Sequence, residues 1–272
     1  MTQIPLAGVI GCPVDHSRSP ALHGTWLRAL GLKGHYVPLH VETPDLVRVF
    51  SALPAMGFVG VNVTIPHKEA VLKLATEVNA TARRIGAANT LNFLPGGGFV
   101  AENTDAYGFM ANLRAGAPGW KPGPALVLGA GGAARAVIVA LQDAGVHEIR
   151  LTNRTEARAQ ALAEEFGVSA LPWARRADAL DGVTTLVNTT SLGMEGAPTL
   201  SLDLGSLPCD AVVTDIVYTP LETPLLRAAR AHGCTVVDGL GMLLHQAVPG
   251  FERWFGVRPE VTEALRRAVV AA

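Results

Sequence analysis

Hydrophobic and polar positions alternate through the segment that ends in VNVTIPHK, residues 61–68. Every second residue from Val59 to Ile65 is a branched aliphatic, and glycine, asparagine and threonine occupy the positions between them. This period of two predicts a strand over the range, with its aliphatic face in an apolar core. Pro66 has no N–H to donate and is expected to end the strand. Lys68 then follows a strand's carboxyl end, where ligand chemistry collects in open α/β sheets. A solvated surface lysine is the alternative.

Strand-like and helix-like segments alternate along the rest of the chain, which favours parallel sheets with helical crossovers. Ser19-Pro20 is expected to open a helix that ends at Gly31. A glycine-rich turn at residues 95–98 predicts a hairpin, and with it one antiparallel strand in the first sheet. The other predicted strands are one from Leu6, then Tyr36 to Leu39, Asn89 to Phe93, Phe99 to Glu102, Leu126 to Leu128, Glu148 to Thr152, Thr185 to Asn188, Ala211 to Asp215 and Thr235 to Asp238.

A segment rich in glycine and proline, residues 114–124, separates the two halves of this pattern and is typical of a domain edge. Near the carboxyl terminus, apolar residues from Val261 to Val269 follow helical spacing. This helix must bury its apolar face, and the first domain is the candidate partner. We therefore predict an α/β protein of two domains. The first comprises residues 1–105 plus 239–272 and is mostly parallel, and the second comprises residues 106–238.

Composition and charge exclude several classes of protein. Of the 272 residues, 49% are hydrophobic and 17% are charged, so the chain can bury a sizeable core. A net charge of −1 gives no support for a nucleic-acid or anionic-membrane surface. Three cysteines without a CxxC pair fit a reducing compartment. The amino-terminal segment lacks the features of a signal peptide, and no run of about eighteen apolar residues could span a bilayer. We expect a cytoplasmic protein with no nucleic-acid or membrane partner.

A glycine-rich sequence follows the strand that ends at Leu128 and opens an alanine-rich helix. In this context the glycines let the backbone approach a pyrophosphate, and the helix amino terminus supplies N–H donors. A tight strand–helix turn without a ligand is the alternative. The sequence therefore predicts a Rossmann-like domain whose dinucleotide site includes Gly129, Ala130, Gly131, Gly132 and Ala133.

The tip of the following strand distinguishes NAD from NADP. An NAD site usually carries an acidic residue there for the ribose 2′-hydroxyl. This chain instead has Asn153, Arg154 and Thr155, and the arginine and threonine offer donors to a 2′-phosphate. The predicted cofactor is NADP.

Further polar residues in short motifs are candidates for substrate chemistry, and each has a structural alternative. Ser19 could cap the helix at Pro20 and Asp105 a helix that starts at Ala106. Asn89 could stabilise a strand end and Ser17 a local turn, and Gln246 could be a polar residue on a terminal helix. No metal site is predicted, because the eight histidines show no HxxxH spacing. The full set of candidates is Ser17, Ser19, Lys68, Asn89, Asp105, Tyr218 and Gln246.

Taken together and in order, these motifs closely resemble the shikimate dehydrogenase family across nearly the whole chain. The matching segments are GxPxxHSxSP (Gly11 to Pro20), NVTxPxK (Asn62 to Lys68), GAxNT (Gly86 to Thr90), AENTD (Ala101 to Asp105), GAGGAARA (Gly129 to Ala136), NRT, NTTxxGM (Asn188 to Met194), DxxYxPxxTPL (Asp215 to Leu225) and DGxxMLxxQA (Asp238 to Ala247). Two departures are small. His67 stands where a phenylalanine is common, and Ala101-Glu102 replaces a glycine-containing lead-in to NTD.

The resemblance implies reversible reduction of 3-dehydroshikimate to shikimate by NADPH. A monomer or homodimer is expected. It implies that Ser17 and Ser19 bind the substrate carboxylate and that Lys68 and Asp105 form the catalytic pair. Residues implied to hold the ring hydroxyls and the reacting carbonyl are Thr64, Lys68, Asn89, Asp105 and Gln246, with Tyr218 also at the substrate. The implied cofactor site extends to Thr189, Ile216, Gly239 and Met242.

Elementary chemistry agrees with this interpretation. Hydride delivery to a ketone creates a developing alkoxide, which needs a proton donor and a positive or hydrogen-bonding partner. A lysine ammonium meets both needs, and a polyhydroxylated acid needs the neutral donors and acceptors that Ser, Thr, Asn and Gln supply. Two alternatives stay open, a quinate/shikimate dehydrogenase of broader specificity and a non-catalytic NADP-binding sensor. A nucleotide-dependent ligase is disfavoured, since no P-loop pattern is present.

Overall fold

The computed structural model describes residues 4–272. Met1 to Gln3, the start of the segment expected to lack a signal peptide, lie outside the described residues. The chain divides into two compact units, one of residues up to Asp105 together with Leu243–Ala272, the other Ala106–Met242. Residues 239–242, which the sequence analysis assigned to the first domain, are therefore part of the second unit.

Strands and helices alternate through both units. The strands are β1 (Leu6–Gly11), β2 (His35–His40), β3 (Phe58–Val63), β4 (Glu77–Val78), β5 (Thr90–Phe93), β6 (Phe99–Glu102), β7 (Ala125–Leu128), β8 (Ile149–Asn153), β9 (Ser169–Pro172), β10 (Thr185–Asn188), β11 (Val212–Asp215) and β12 (Thr235–Val237). The α-helices are α1 (Ser19–Ala29), α2 (Leu46–Ala52), α3 (Ala80–Ile85), α4 (Asp105–Gly116), α5 (Gly132–Asp143), α6 (Glu156–Phe166), α7 (Pro224–Ala231), α8 (Leu240–Phe255) and α9 (Glu263–Val270).

The first unit contains a mixed sheet with the strand order β2-β1-β3-β5-β6-β4. Strands β1, β2 and β3 are mutually parallel, and β5 runs antiparallel to both of its neighbours. The predicted antiparallel strand is thus confirmed, and the glycine-rich turn does join β5 to β6. The very short strand β4 pairs with β6 at the sheet edge and was not predicted from the sequence.

Strand β3 is central in this sheet, and its two faces are both largely buried. Asn62, on the face that the alternation had marked as polar, is buried, as are the aliphatic residues beside it. The strand ends at Val63, and Ile65 is 74% exposed. The prediction that Ile65 belongs to the core was wrong because the chain leaves the sheet two residues before Pro66.

Helix α9 packs against α1 within the first unit, as the apolar spacing near the carboxyl terminus predicted. Leu265 and Val269 are its buried residues. The indole N–H of Trp26 in α1 donates to the Glu260 carbonyl over 2.9 Å. The segment that precedes α9 is therefore also bound to α1.

The second unit contains an all-parallel sheet with the order β12-β11-β10-β7-β8-β9. This is the doubly wound Rossmann arrangement, in which the strand order reverses between the first and fourth strands, here β7 and β10. Edge strand β9 was missed by the sequence analysis, because its side chains are exposed or half-buried and show no apolar run. Strand β7, which was predicted from its apolar sequence, is fully buried.

Among residues 4–272, no helix has the length and apolar character needed to cross a membrane.

Candidate active site

Lys68 and Asp105 form an ion pair in the first unit, with Lys68 Nζ 2.6 Å from Asp105 Oδ2. The lysine side chain is 18% exposed and the aspartate side chain 6%. A charged pair this sheltered from water attracts strongly, since screening by solvent is weak there. The ammonium is therefore fixed in direction and keeps only a small accessible surface.

Asn89 is the centre of a buried hydrogen-bond network around this pair. Its Nδ2 lies 2.9 Å from Asp105 Oδ1 and 3.0 Å from Gln246 Oε1, so each amide hydrogen has an acceptor. Its Oδ1 accepts the backbone N–H of Thr104 over 2.8 Å. With one carboxylate oxygen held by Asn89 and the other by Lys68, the Asp105 carboxylate has a fixed orientation.

Backbone hydrogen bonds bring these residues together from distant parts of the sequence. The Ala88 N–H donates to the Lys68 carbonyl over 2.8 Å, and the Asn89 N–H donates to the Glu102 carbonyl over 3.0 Å. Asp105 is oriented in turn by Asn103, whose Oδ1 accepts the Asp105 N–H over 2.9 Å. Lys68, Asn89 and Asp105 therefore meet because the β3–β5–β6 region is paired, not because they are near in sequence.

Gln246 joins this network from α8. Its Oε1 accepts from Asn89 while its Nε2 donates to the Leu243 carbonyl over 3.0 Å, one turn earlier in the helix. The side chain is 8% exposed. Gln246 is thus more than a polar residue on a terminal helix, because it completes the hydrogen bonding of Asn89.

The serines of HSRSP lie at the start of α1. Ser19 is the first residue of the helix and is buried, and the N-cap position is Arg18, which makes no side-chain capping bond. The capping alternative for Ser19 was therefore wrong, since the helix starts one residue too early for it. Ser17 Oγ accepts the Ser19 N–H over 3.3 Å, so the two serines are adjacent.

Thr64 and His67 lie in the turn between β3 and Lys68. The Thr64 N–H donates to the Ile10 carbonyl over 2.8 Å and its carbonyl accepts the His67 N–H over 2.9 Å. The His67 side chain is fully buried, with Nε2 2.7 Å from the Val41 carbonyl. That contact requires a proton on Nε2, so His67 is a donor that anchors the Lys68 turn to the chain after β2.

Asp105 begins α4, and Tyr218 lies three residues beyond β11 in the second unit. The capping alternative for Asp105 placed the helix start at Ala106, whereas the helix starts at Asp105 and both carboxylate oxygens have the partners given above. The other candidates for substrate binding belong to the first unit.

The glycine-rich turn of the second unit joins β7 to α5. Gly129 has φ +110°, and a Cβ there would contact Thr189 Oγ1 at 2.5 Å, so both conformation and space require glycine. At Gly131 the backbone is extended and an added Cβ would meet no protein atom within 4 Å. The protein itself does not explain a glycine at this position, whereas close approach of a ligand would.

Helix α5 begins at Gly132 with Gly131 as N-cap, no side-chain capping bond and no acidic residue in its first turn. Its first amide groups and the positive end of its dipole therefore suit an anion. Ala130 and Ala133 flank this turn and are half-buried.

Across the sheet, Thr189 follows β10 and donates its hydroxyl to the Leu128 carbonyl over 2.7 Å, which fixes the loop after β10 to the end of β7. At the tip of β8, Asn153 Nδ2 donates to the Thr155 carbonyl over 3.0 Å. Arg154 and Thr155 are exposed, and Thr155 makes no capping bond to α6. The donors predicted for a 2′-phosphate thus face solvent at the carboxyl end of the sheet.

Asp215 organises the loops that follow β10 and β11. Its Oδ1 accepts from Asn188 Nδ2 over 2.9 Å and from the Val217 N–H over 3.0 Å, and its Oδ2 accepts the Thr223 hydroxyl over 2.8 Å. Burial raises the pKa of Asp215 to about 6, and these hydrogen bonds oppose the rise. The carboxylate therefore fixes the segment that carries Ile216 and Tyr218.

Gly239 and Met242 lie at the start of α8. A Cβ on Gly239 would clash with the backbone of Ile216 and Val217, so a glycine permits the close packing of these two segments. Met242 is 8% exposed. The predicted cofactor residues thus gather at loops that follow β7, β8, β10, β11 and β12.

Asn62 and Thr104 contribute to the network around Asn89 and were not among the predicted site residues. Asn62 Nδ2 donates to the Asn89 carbonyl over 3.0 Å, and the Thr104 hydroxyl lies 2.9 Å from Asn89 Nδ2. Both residues are within motifs that were quoted, NVTxPxK and AENTD, but neither motif reveals which polar side chains turn inward.

Three family models match the chain. They describe the shikimate dehydrogenase substrate binding domain, shikimate / quinate 5-dehydrogenase, and the shikimate 5′-dehydrogenase C-terminal domain, and they match residues 9–91, 114–191 and 239–270, respectively.

Individual proteins are similar over their full length. The chain is 61% identical over 276 residues to the shikimate dehydrogenase (NADP(+)) of Cereibacter sphaeroides, covering 100% of this chain and 99% of the relative. Shikimate 5-dehydrogenase of Thermus thermophilus, solved with NADP(H) and shikimate, has 41% identity and a TM-score of 0.88 over 98% of each chain. Quinate dehydrogenase of Corynebacterium glutamicum, solved with NAD, has 34% identity and a TM-score of 0.90, covering 98% of this chain and 99% of that one.

Proposed function

This chain belongs to the shikimate dehydrogenase family, and we propose from its site that it interconverts shikimate and 3-dehydroshikimate with NADP(H). The observation that carries the proposal is the sheltered pair of Lys68 and Asp105, 2.6 Å apart, within a network of neutral amides and hydroxyls. A protein that only binds a nucleotide has no need of a fixed ammonium at such a position. The activity belongs to the same reaction class as that named for the relatives.

Lys68 is the proposed proton donor in the reducing direction. Reduction turns the ketone oxygen into a developing alkoxide, and an ammonium nearby both stabilises that charge and supplies the proton. In the oxidising direction the neutral amine takes the proton back from the hydroxyl. Asp105 holds Lys68 in place, and Asn89 holds Asp105, so the donor is oriented before substrate arrives.

Substrate recognition is proposed for the polar residues of the first unit. Ser17 and Ser19 would donate hydroxyls to the carboxylate, helped by the adjacent start of α1, and Thr64, Asn89 and Gln246 would hold the ring hydroxyls. Tyr218 of the second unit is proposed as a further substrate contact. The set is neutral apart from the catalytic pair, which suits a ligand that carries several hydroxyl groups and one charge.

The residues of the second unit fit a dinucleotide. Gly131 leaves unfilled space where a Cβ would project, next to the uncapped amino terminus of α5. Gly129 to Ala133 would hold the pyrophosphate, and Thr189, Ile216, Gly239 and Met242 would hold the nicotinamide end. When bound, the nicotinamide ring supplies or accepts the hydride.

Arg154 supports NADP over NAD. Arg154 and Thr155 are exposed and follow Asn153, the last residue of β8, and none of the three is acidic; the first acidic residue is Glu156, which begins α6. An arginine binds phosphate through charge-assisted hydrogen bonds. The relative from C. sphaeroides is named as NADP-dependent.

A second candidate function is that of a quinate/shikimate dehydrogenase with broader substrate and cofactor specificity. The likeness to the C. glutamicum quinate dehydrogenase favours this candidate. That enzyme was solved with NAD, whereas the β8 tip of this chain carries Arg154. We therefore rank shikimate and NADP first.

The test is NADPH oxidation followed by absorbance with 3-dehydroshikimate, alongside NADH and 3-dehydroquinate. Turnover about a hundredfold faster with NADPH than with NADH is the expected result, since a charge-assisted contact to the 2′-phosphate changes binding by this order. Turnover with 3-dehydroshikimate is expected to exceed that with 3-dehydroquinate. Comparable rates with NADH or 3-dehydroquinate would move the protein to the broader class. NADPH binding without any turnover would leave the sensor interpretation and remove Lys68 from the chemistry.

A further inference from the structure

Glu102 is the last residue of β6 and belongs to the part of AENTD in which this chain departs from the usual glycine-containing sequence. Its side chain is only 12% exposed, and the proposed reaction gives this carboxylate no role. Glu102 Oε1 lies 2.9 Å from Nη2 of Arg253, a residue of α8. A sheltered carboxylate needs such a partner, because burying an unpaired charge is costly. The ion pair therefore joins β6 directly to α8.

The main chain of Glu102 binds Asn89. The Glu102 carbonyl accepts the Asn89 N–H over 3.0 Å, at the end of the ladder in which Thr90 of β5 is paired with Glu102 of β6. The position of Asn89 relative to β6 is therefore set by the same residue whose side chain pairs with α8.

Three residues of α8, Gln246, Gly250 and Arg253, have the i, i+4 and i+7 spacing that places side chains on one face of a helix. Gln246 Oε1 lies 3.0 Å from Asn89 Nδ2. A Cβ added to Gly250 would lie 3.4 Å from Thr90 Cγ2, so this turn of the helix runs close to β5. The face of α8 that carries Gln246 is thus the face that Arg253 fastens to β6.

Pro249, in the middle of α8, makes the helix dependent on contacts with the sheet. A proline has no N–H to bond the carbonyl four residues earlier, and helices bend at such positions. Beyond Pro249, Arg253 pairs with Glu102. The indole N–H of Trp254 donates to Asn92 Oδ1 in β5 over 2.9 Å. Side chains therefore fix the direction of α8 where its own backbone bonding is incomplete.

These contacts form a closed circuit around Asn89. Glu102 binds its main chain and Gln246 binds its side chain, and the pair of Glu102 with Arg253 connects β6 to the helix that carries Gln246. We propose that Glu102 and Arg253 are a positioning pair for the substrate site, which keeps Gln246 Oε1 within hydrogen-bonding distance of Asn89. This inference rests on the proposed function, because it takes Asn89 and Gln246 as the groups that hold the ring hydroxyls. Neither charged residue touches the substrate in this account.

The test is the Arg253→Met variant in steady-state assays of shikimate oxidation by NADP. Methionine keeps an unbranched side chain and removes the charge, and because Arg253 is 61% exposed the substitution leaves no cavity in the core. We expect the KM for shikimate to rise by about three- to tenfold, kcat to fall less than about threefold and the KM for NADP to stay within about twofold. A smaller folded fraction alone would lower the measured kcat and leave both KM values unchanged.

Arg253→Lys is the conservative variant that should restore the site. Its ammonium can still pair with Glu102, so the KM for shikimate is expected to lie within about twofold of the wild-type value. A KM as high as that of Arg253→Met would overturn the role of the charge.

A double-mutant cycle tests whether the two residues act as a pair. Arg253→Met made in a Glu102→Gln background should raise the KM for shikimate by a smaller factor than in the wild type, because the carboxylate that Arg253 serves is already absent. Equal factors in the two backgrounds would overturn the pairing. Should Arg253→Met fail to fold, Glu102→Gln alone weakens the same contact from the other side and is expected to raise the same KM.

Arg258→Met provides a control with the same substitution. Arg258 pairs with Glu252, the residue of α8 that directly precedes Arg253, and the pair is exposed at both ends. Its loss should leave the KM for shikimate unchanged, since exposed ion pairs contribute little. An Arg253→Met enzyme with a lowered Tm and an unchanged KM for shikimate would overturn the positioning role and leave the proposed function intact. A wild-type protein that does not oxidise shikimate at all would overturn both.

Discussion

Asp105 accepts Lys68 Nζ on one carboxylate oxygen and Asn89 Nδ2 on the other, over 2.6 and 2.9 Å. Each oxygen has its own side-chain donor, so the direction of the lysine ammonium is set by Asn89, which directly precedes β5, and by Asp105 at the start of α4. This relationship connects the sheet pairing of the first unit with the proposed proton transfer.

The Asp105→Asn variant should lower kcat roughly a hundredfold, because an amide neither attracts the ammonium nor fixes its direction, and small misplacements cost about this much. Steady-state assays with 3-dehydroshikimate and NADPH measure the effect. Asp178→Asn is the matched control, since its ion pair with Arg175 is exposed on both sides and such pairs contribute little. Equal kcat values for the two variants would contradict the orienting role.

Gly131 and Gly129 should respond differently to alanine. At Gly131 an added methyl meets no protein atom, so Gly131→Ala should keep its Tm and lose NADP affinity. At Gly129 the positive φ and the contact with Thr189 make Gly129→Ala unstable by about 2 kcal/mol as well. Thermal unfolding and titration of NADPH fluorescence separate the two effects. Unchanged NADPH binding by a stable Gly131→Ala variant would argue against a pyrophosphate at this turn.

Arg154→Ala should raise the KM for NADP by about ten- to a hundredfold, which is the effect of one charge-assisted hydrogen bond. The KM for NAD and the KM for shikimate should change little, because neither ligand carries the 2′-phosphate. Arg175→Ala removes another exposed arginine of the second unit and serves as the control. An equal rise in the KM for NAD would show that Arg154 does not distinguish NADP from NAD by binding the 2′-phosphate.

His23 should make the fold sensitive to mild acid. Burial lowers its pKa to about 3 from 6.5. Below pH 6.5 the unfolded chain therefore takes up a proton that the folded chain does not, and stability is lost as pH falls toward 3. Between pH 7 and 5 the free energy of unfolding should drop by roughly 2 kcal/mol more in the wild type than in His23→Phe.

Urea unfolding at the two pH values measures this difference, with the exposed His35→Gln as control. A pH dependence that survives in His23→Phe would assign the effect to another group.

Local patterns predicted the parts of this structure that depend on neighbours in sequence. The apolar strand, the glycines and the alanine-rich helix around Gly129 follow one another directly, so their order identified β7 and α5. The short edge strands β4 and β9 have no such pattern, because exposed side chains leave no alternation to detect.

The prediction that Ile65 is buried failed for a related reason. Alternation marks which residues share a face, but not where the chain leaves the sheet.

Contacts across the fold could not be predicted residue by residue. The sequence identified Asn89 and Lys68 as candidates, but their connection depends on the pairing of β3, β5 and β6, which only the folded chain shows. Tyr36 and Asn62 are 26 positions apart in sequence. They form a hydrogen bond because β2 and β3 lie on either side of β1 and run parallel to it, which places both side chains close to each other across β1. His67 had no expected role, and the structure gives it a buried anchor at Val41.

The most direct test of the account is the kcat of Lys68→Ala, measured with 3-dehydroshikimate and NADPH beside Lys73→Ala, an exposed lysine five residues on. Loss of a positioned proton donor should lower kcat by about 10² to 10⁴-fold with a modest change in KM, and Lys73→Ala should match the wild type. A Lys68→Ala enzyme that retains the wild-type kcat would contradict the claim that this lysine delivers the proton.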